Sequence, residues 1–275
     1  MSSFLYGTSS WSEKSWAGGF YPAGLAAGGQ LAHYATQFNT VEADVTYYRV
    51  PDAKLVSGWQ AKTPESFVLS AKFPQSIVHG GKESTPDPER LLVYDQVAGD
   101  LERFLASMAL LGDKCGPLVL QFPYFNQRAF KSVEPFLERL DQFLARLPAR
   151  FRYGVEIRNK HWIAEPLLEV LRRHRTALVL VDIGYMPHPA DLAKQLDLFT
   201  TDFTYARLIG DRKAIDLLTD RFDKVVVDQA PRLAKWAELL REASNRLPRI
   251  FAYANNHYAG YAPETIRDLA ARMEG

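Results

Sequence analysis

The chain of 275 residues carries 33 Lys and Arg against 32 Asp and Glu, a formal net charge of +1, with 47% hydrophobic and 24% charged residues. This is the composition of a globular chain that can bury roughly 75% of its unfolded surface, so folding needs neither metal nor disulfide. A single cysteine, Cys115, excludes an internal disulfide framework and a cysteine-based zinc knuckle, and the balanced charge lacks the basic excess expected of a protein gripping a nucleic acid backbone.

The first residues, Met1 to Gly7, show no basic segment followed by a long apolar core. No apolar run approaches the ~20 residues needed to span a bilayer, so the chain reads as cytoplasmic, with no membrane partner. Short β-prone runs then recur at 4–9, 40–46, 67–73, 117–122, 153–157, 177–182, 203–209 and 250–255. Several are dense in Val, Leu, Ile and Tyr, as expected for strands covered on both faces. Helical spacing fills the intervals at 30–38, Ala53–Lys62, 90–111, 133–147, 164–174, Ala230–Arg246 and 263–273. Within 133–147 the stripe Val133, Phe136, Leu137, Leu140, Phe143, Leu144 and Leu147 advances in steps of three and four. Pro135 falls in the first turn, where its missing N–H costs nothing, and Pro148 stops the helix.

Eight strands alternating with helices predict an α/β fold, a single (β/α)8 TIM-like barrel over 1–275. The sixth helix is expected to be short or irregular, because Gly184-Tyr185-Met186-Pro187-His188-Pro189 leaves room only at 191–198. An open doubly wound sheet is the alternative; it usually shows a Gly-rich phosphate loop, and the chain has neither GxGxxG nor GxxxxGK[ST].

In such a barrel the C-terminal strand ends carry the chemistry. Here they are polar: Glu42 and Asp44, Lys72, Gln121, Glu156 and Arg158, Asp182, Arg207, then Asn255, Asn256 and His257. Alternation along a strand puts Glu42 with Asp44, Ser70 with Lys72, Glu156 with Arg158, Tyr205 with Arg207 and Tyr253 with Asn255 on shared faces. The apolar neighbours suit the helix side, so the polar set points inward at the mouth. Such charges are costly to bury unless paired or serving a ligand. Mutual neutralisation in a structural network is the bland reading, and a ligand site is the reading preferred for the set.

The loop after strand 1 holds Trp11, Trp16, Phe20 and Tyr21, which either line a pocket or form a satellite core. The loop after strand 3, 74–88, contains His79-Gly80-Gly81-Lys82 and is long enough to cover the mouth. His79, His161 and His257 follow strands and are candidates for acid–base work, whereas His33 and His174 lie in helical patterns. No HExxH or HxH pair supports zinc. No cofactor is expected; Mg²⁺ or Mn²⁺ on Glu42, Glu156 and Asp182 is conceivable, but the adjacent cations oppose it.

The chain also carries a connected text: Gly7-Thr8-Ser9-Ser10-Trp11 with Phe20-Tyr21-Pro22, Val41-Glu42 with Thr46-Tyr47-Tyr48-Arg49-Val50-Pro51, and Ala71-Lys72-Phe73-Pro74 with His79. It continues through Leu120-Gln121-Phe122-Pro123, Val155-Glu156-Ile157-Arg158 with Trp162, Arg207 with Gly210, and Tyr253-Ala254-Asn255-Asn256-His257. This series resembles the YecE-like family, domain-of-unknown-function family 72, in order along nearly the whole chain. The resemblance implies a TIM-like barrel and no particular reaction. It departs at Val78, where the family often has Thr, and at Asn159, where it often has His, so that any role of that histidine would pass to His161.

The resulting expectation is an enzyme of hydrolytic or proton-transfer chemistry acting on a small polar, anionic molecule. Lys72, Arg158 and Arg207 would bind the anion, Glu42, Glu156 or His79 would move the proton, and Gln121, Asn255 and Asn256 would orient the substrate. Trp11, Tyr47, Asp182 and His257 complete the expected set. Nucleic acid processing, by fold analogy with metal-dependent barrel endonucleases, and a non-catalytic ligand-binding scaffold are the alternatives.

Overall fold

Each β-prone run becomes a strand, and the intervening amphipathic stripes become the helices that cover them. The computed structural model describes residues 2–81 and 85–274. The strands are β1 (Ser3–Thr8), β2 (Thr40–Ala43), β3 (Val68–Lys72), β4 (Cys115–Gln121), β5 (Tyr153–Glu156), β6 (Ala177–Ile183), β7 (Phe203–Gly210) and β8 (Arg249–Ala254). The helices are α1 (Ala27–Tyr34), α2 (Ala53–Lys62), α3 (Gln75–Val78), α4 (Tyr94–Ala109), α5 (Glu134–Ala145), α6 (Glu165–Arg173), α7 (Pro189–Leu192), α8 (Arg212–Asp216), α9 (Ala230–Arg246) and α10 (Ala262–Glu274). All paired strands are parallel, in the order β1-β8-β7-β6-β5-β4-β3-β2. The chain is thus a TIM-like barrel rather than an open doubly wound sheet. The sixth unit has only the four-residue α7, started by Pro189 and capped by His188. No helix among the described residues is long and apolar enough to cross a membrane.

The ring closes between β1 and β2 by side chains rather than by a backbone ladder. Tyr6 N–H donates to Asn39 Oδ1 at 3.0 Å, while Asn39 Nδ2 donates to Phe4 O at 3.3 Å. One turn higher, the buried Tyr34 hydroxyl accepts Thr8 N–H at 2.7 Å and donates to Thr40 O at 3.3 Å. Gly7 permits this approach: a Cβ there would lie 2.0 Å from Thr40 O.

Two apolar layers hold the fold. Leu5, Val119, Val179, Phe203, Tyr205, Phe251 and Tyr253 fill the barrel interior. Outside it, stripes such as Leu101, Phe104 and Met108 of α4, or Phe136, Leu140 and Phe143 of α5, face the outward side of the strands. The aromatic loop after β1 joins the outer layer: Trp16 and Tyr21 are buried, and Phe20 stacks on Phe38 with ring centroids 5.8 Å apart.

The run at 40–46 does not stay extended. Strand β2 ends at Ala43, and Asp44–Tyr47 winds into a 3₁₀ turn. Thr46 Oγ1 fixes this turn by accepting Lys72 N–H at 3.0 Å, so a side chain takes over the pairing that β2 would otherwise offer β3.

Candidate active site

The inward side chains at the C-terminal ends of β2, β4, β5 and β7 converge on Arg207. Its Nη2 donates to Glu42 Oε1 at 2.7 Å, and its Nη1 donates to Gln121 Oε1 at 2.9 Å and to Glu156 Oε2. The remaining oxygens are also engaged: Tyr205 OH donates to Glu42 Oε2 at 2.7 Å, and Arg158 Nε to Glu156 Oε1 at 2.9 Å. Glu42, Glu156 and Arg207 are essentially inaccessible. Burial pushes the Glu156 carboxyl up, but the Arg207 and Arg158 guanidinium charges together outweigh it and hold it below the usual range. The two carboxylates and two guanidinium groups sum to zero, which makes a buried network of this size tolerable.

Above this base lies a second tier, in which Lys72 and His79 are buried and Tyr47 and Asp44 half-buried. Lys72, from β3, is ion-paired to Asp44 in the 3₁₀ turn, and its Nζ stands 5.3 Å over the Tyr47 ring. The Tyr47 hydroxyl and His79 Nε2 are 2.9 Å apart, and Gln75 Nε2 lies 3.5 Å from His79 Nδ1. Burial pushes the Tyr47 phenol up to about 12, against the opposing Arg158 charge. The Arg158 side chain retains 24% exposure. It lines a cavity of about 490 Å³ with Tyr124, Tyr185, His161 and Trp162. In the described part of the loop after β3, Ile77 and Val78 are fully buried, so this part is anchored, while Lys82 lies outside the described residues.

Several expected members sit elsewhere. Asp182 does not point into the mouth: strand alternation turns it outward with Leu178 and Leu180, where its Oδ2 accepts from Trp236 Nε1 at 3.1 Å and Tyr258 OH at 2.9 Å, with Arg232 beside it. The conceivable metal trio of Glu42, Glu156 and Asp182 is therefore split across two faces of the barrel. Trp11 packs edge-on against Trp59 at 5.6 Å in a groove between α1 and α2, away from Arg207. Asn256 Oδ1 accepts Ala262 N–H at 3.0 Å and so secures the start of α10. Asn255 Oδ1 accepts His257 N–H at 3.0 Å, and His257 Nε2 lies 3.1 Å from Asp216 Oδ1. Burial lowers the His257 pKa, with Asp216 opposing.

Asn159 clamps the Phe125 backbone, accepting its N–H at 2.8 Å and donating to its O at 2.7 Å. His161 is exposed on the groove rather than in the base layer. Residues absent from the expected set are Tyr205, whose alternation with Arg207 pointed to it, and Tyr185, for which only its place after β6 gave a signal. Among the described residues, no group of three or more His, Cys, Asp or Glu is arranged to hold a metal ion.

Fold and mouth together define a TIM-like barrel protein with a charge-dense C-terminal face. Residues 5–275 match the family described as "Protein of unknown function DUF72", and the chain belongs to that family. It is 32% identical over 136 residues to UPF0759 protein YecE of Escherichia coli K12, covering 49% of this chain and 43% of that protein. UPF0759 protein YunF of Bacillus subtilis 168 is 25% identical over 150 residues, 54% of this chain and 49% of that one. The chain thus spans less than half the length of the curated relatives it matches. A crystallised DUF72 family protein of Thermotoga maritima superposes with a TM-score of 0.67 at 24% identity over 99% of both chains. One from Enterococcus faecalis gives 0.69 at 19% identity over 99% of this chain and 96% of that one. These likenesses establish the barrel.

Proposed function

We propose that the protein is an enzyme that binds a small anionic substrate at the mouth and moves a proton on it, in a hydrolysis or an isomerisation. The observation that carries this reading is the adjacency, in one tier, of the partly exposed Arg158 guanidinium, whose charge acts on Tyr47, the buried Lys72, and the Tyr47–His79 hydrogen bond of 2.9 Å. Arg158 recruits a carboxylate or phosphate, and Glu156 fixes the direction of its fork. The Tyr47–His79 pair supplies the proton donor and acceptor, the hydroxyl and the ring nitrogen standing within hydrogen-bond reach of each other. Glu42, Glu156 and Gln121 then hold Arg207 as the rigid floor, because their oxygens are already engaged. Arg207 Nε, buried in that floor, has no hydrogen-bond partner among the described residues.

The test uses a panel of small carboxylates and phosphate monoesters, read by thermal shift and by turnover. A ligand at a hundred times its Kd stabilises the wild type by about 2.7 kcal/mol. Arg158→Ala is expected to lose the shift, and His79→Gln to lose turnover while keeping the shift. If both variants retain both signals, the reading is rejected.

A further inference from the structure

The opposite end of the barrel carries a second charged cavity, of about 630 Å³, which the mouth does not use. Leu5 and Phe251 floor it, and they belong to the apolar interior that separates it from Arg207. Arg150, Arg152 and Arg249 line it, together with Ser3 and Ser66. Two of these arginines flank strand starts: Arg152 precedes β5, and Arg249 opens β8 opposite Ser3 of β1. The barrel's own closure therefore gathers positive charge from distant parts of the chain.

None of the three arginines has a hydrogen bond or ion pair from its side chain to any described residue; Arg150 only lies over the Phe151 ring at 4.8 Å. Elsewhere, arginines such as Arg146, Arg173 and Arg246 are each paired with a carboxylate. Asp113 is the one carboxylate on the cavity wall among the described residues, which leaves a net excess of two positive charges there. Like charges gathered without counter-charge repel one another, and a bound polyanion relieves the repulsion. Guanidinium forks match phosphoryl oxygens bidentately, and the volume exceeds what a lone oxyanion fills.

We propose that this N-terminal cavity is a second ligand site, distinct from the mouth, for a compact phosphoryl polyanion held by Arg150, Arg152 and Arg249. Inorganic pyrophosphate is the probe, titrated calorimetrically at low ionic strength into wild type, Arg150→Gln/Arg249→Gln and Arg158→Ala. Arg150 and Arg249 are exposed, so their replacement leaves the fold intact. Saturable binding that weakens at least about tenfold in the double variant and persists in Arg158→Ala is expected. The Arg158→Ala arm keeps this result separate from the fate of the mouth reading. Absence of saturable binding to wild type, or binding that the double variant leaves intact, overturns the proposal.

Discussion

Arg207 joins two carboxylates that would otherwise share a dry layer. Replacing it with Met leaves Glu42 and Glu156 buried with like charge and no clamp, and is expected to cost about 3–5 kcal/mol in urea unfolding. The same geometry sets an acid limit. Glu156 titrates in the fold below its ordinary value of 4.5. Its contribution is therefore complete above that value and is lost as pH falls from it through the folded pKa. Unfolding titrations below pH 4.5 should show this loss in the wild type and a smaller one in Glu156→Gln. At the upper tier, Tyr47→Phe removes the hydroxyl bound to His79 and is expected to lower turnover by about 10²–10⁴-fold with little change in melting temperature.

At the scale of elements, the helix-facing side of β6 is as specific as the interior. Asp182 ties β6 to Trp236 and Arg232 of α9 and to Tyr258 after β8. Asp182→Ala strands these donors, and a loss of about 3 kcal/mol by chemical denaturation is expected, with anion binding at the mouth unchanged. The seam between β1 and β2 rests on fewer groups. Tyr34→Phe removes the hydroxyl between Thr8 and Thr40, and should cost about 1–3 kcal/mol and speed amide exchange at Thr8 first. Much of this level was readable beforehand. The stripes gave Ala53–Lys62 and Ala230–Arg246 at their observed bounds, and the mixed apolar and polar texture of β2, β5 and β7 showed which face turns inward. In β6, Leu178, Val179, Leu180 and Val181 are apolar on both faces, so nothing in the text marked Asp182 as outward. The end of β2 was hidden because Thr46 acts through Lys72, a residue 26 positions away.

Across the whole molecule, the strand count and the polar mouth follow from local pattern, whereas the tiers within the mouth do not. Tyr47 and His79 meet across 32 positions, and Arg150 and Arg249 line one cavity although 99 positions separate them. Ring closure has a temporal side. Among the described residues, the only backbone ladder of β1 is with β8, paired from Ser3 with Arg249 to Thr8 with Ala254. During synthesis at about 5–20 residues per second, β1 waits on the order of 12–50 s for β8. Nascent chains stalled before residue 249 should therefore keep Ser3–Thr8 open to protease, and a chaperone that shields Phe4 and Tyr6 has its longest opportunity there.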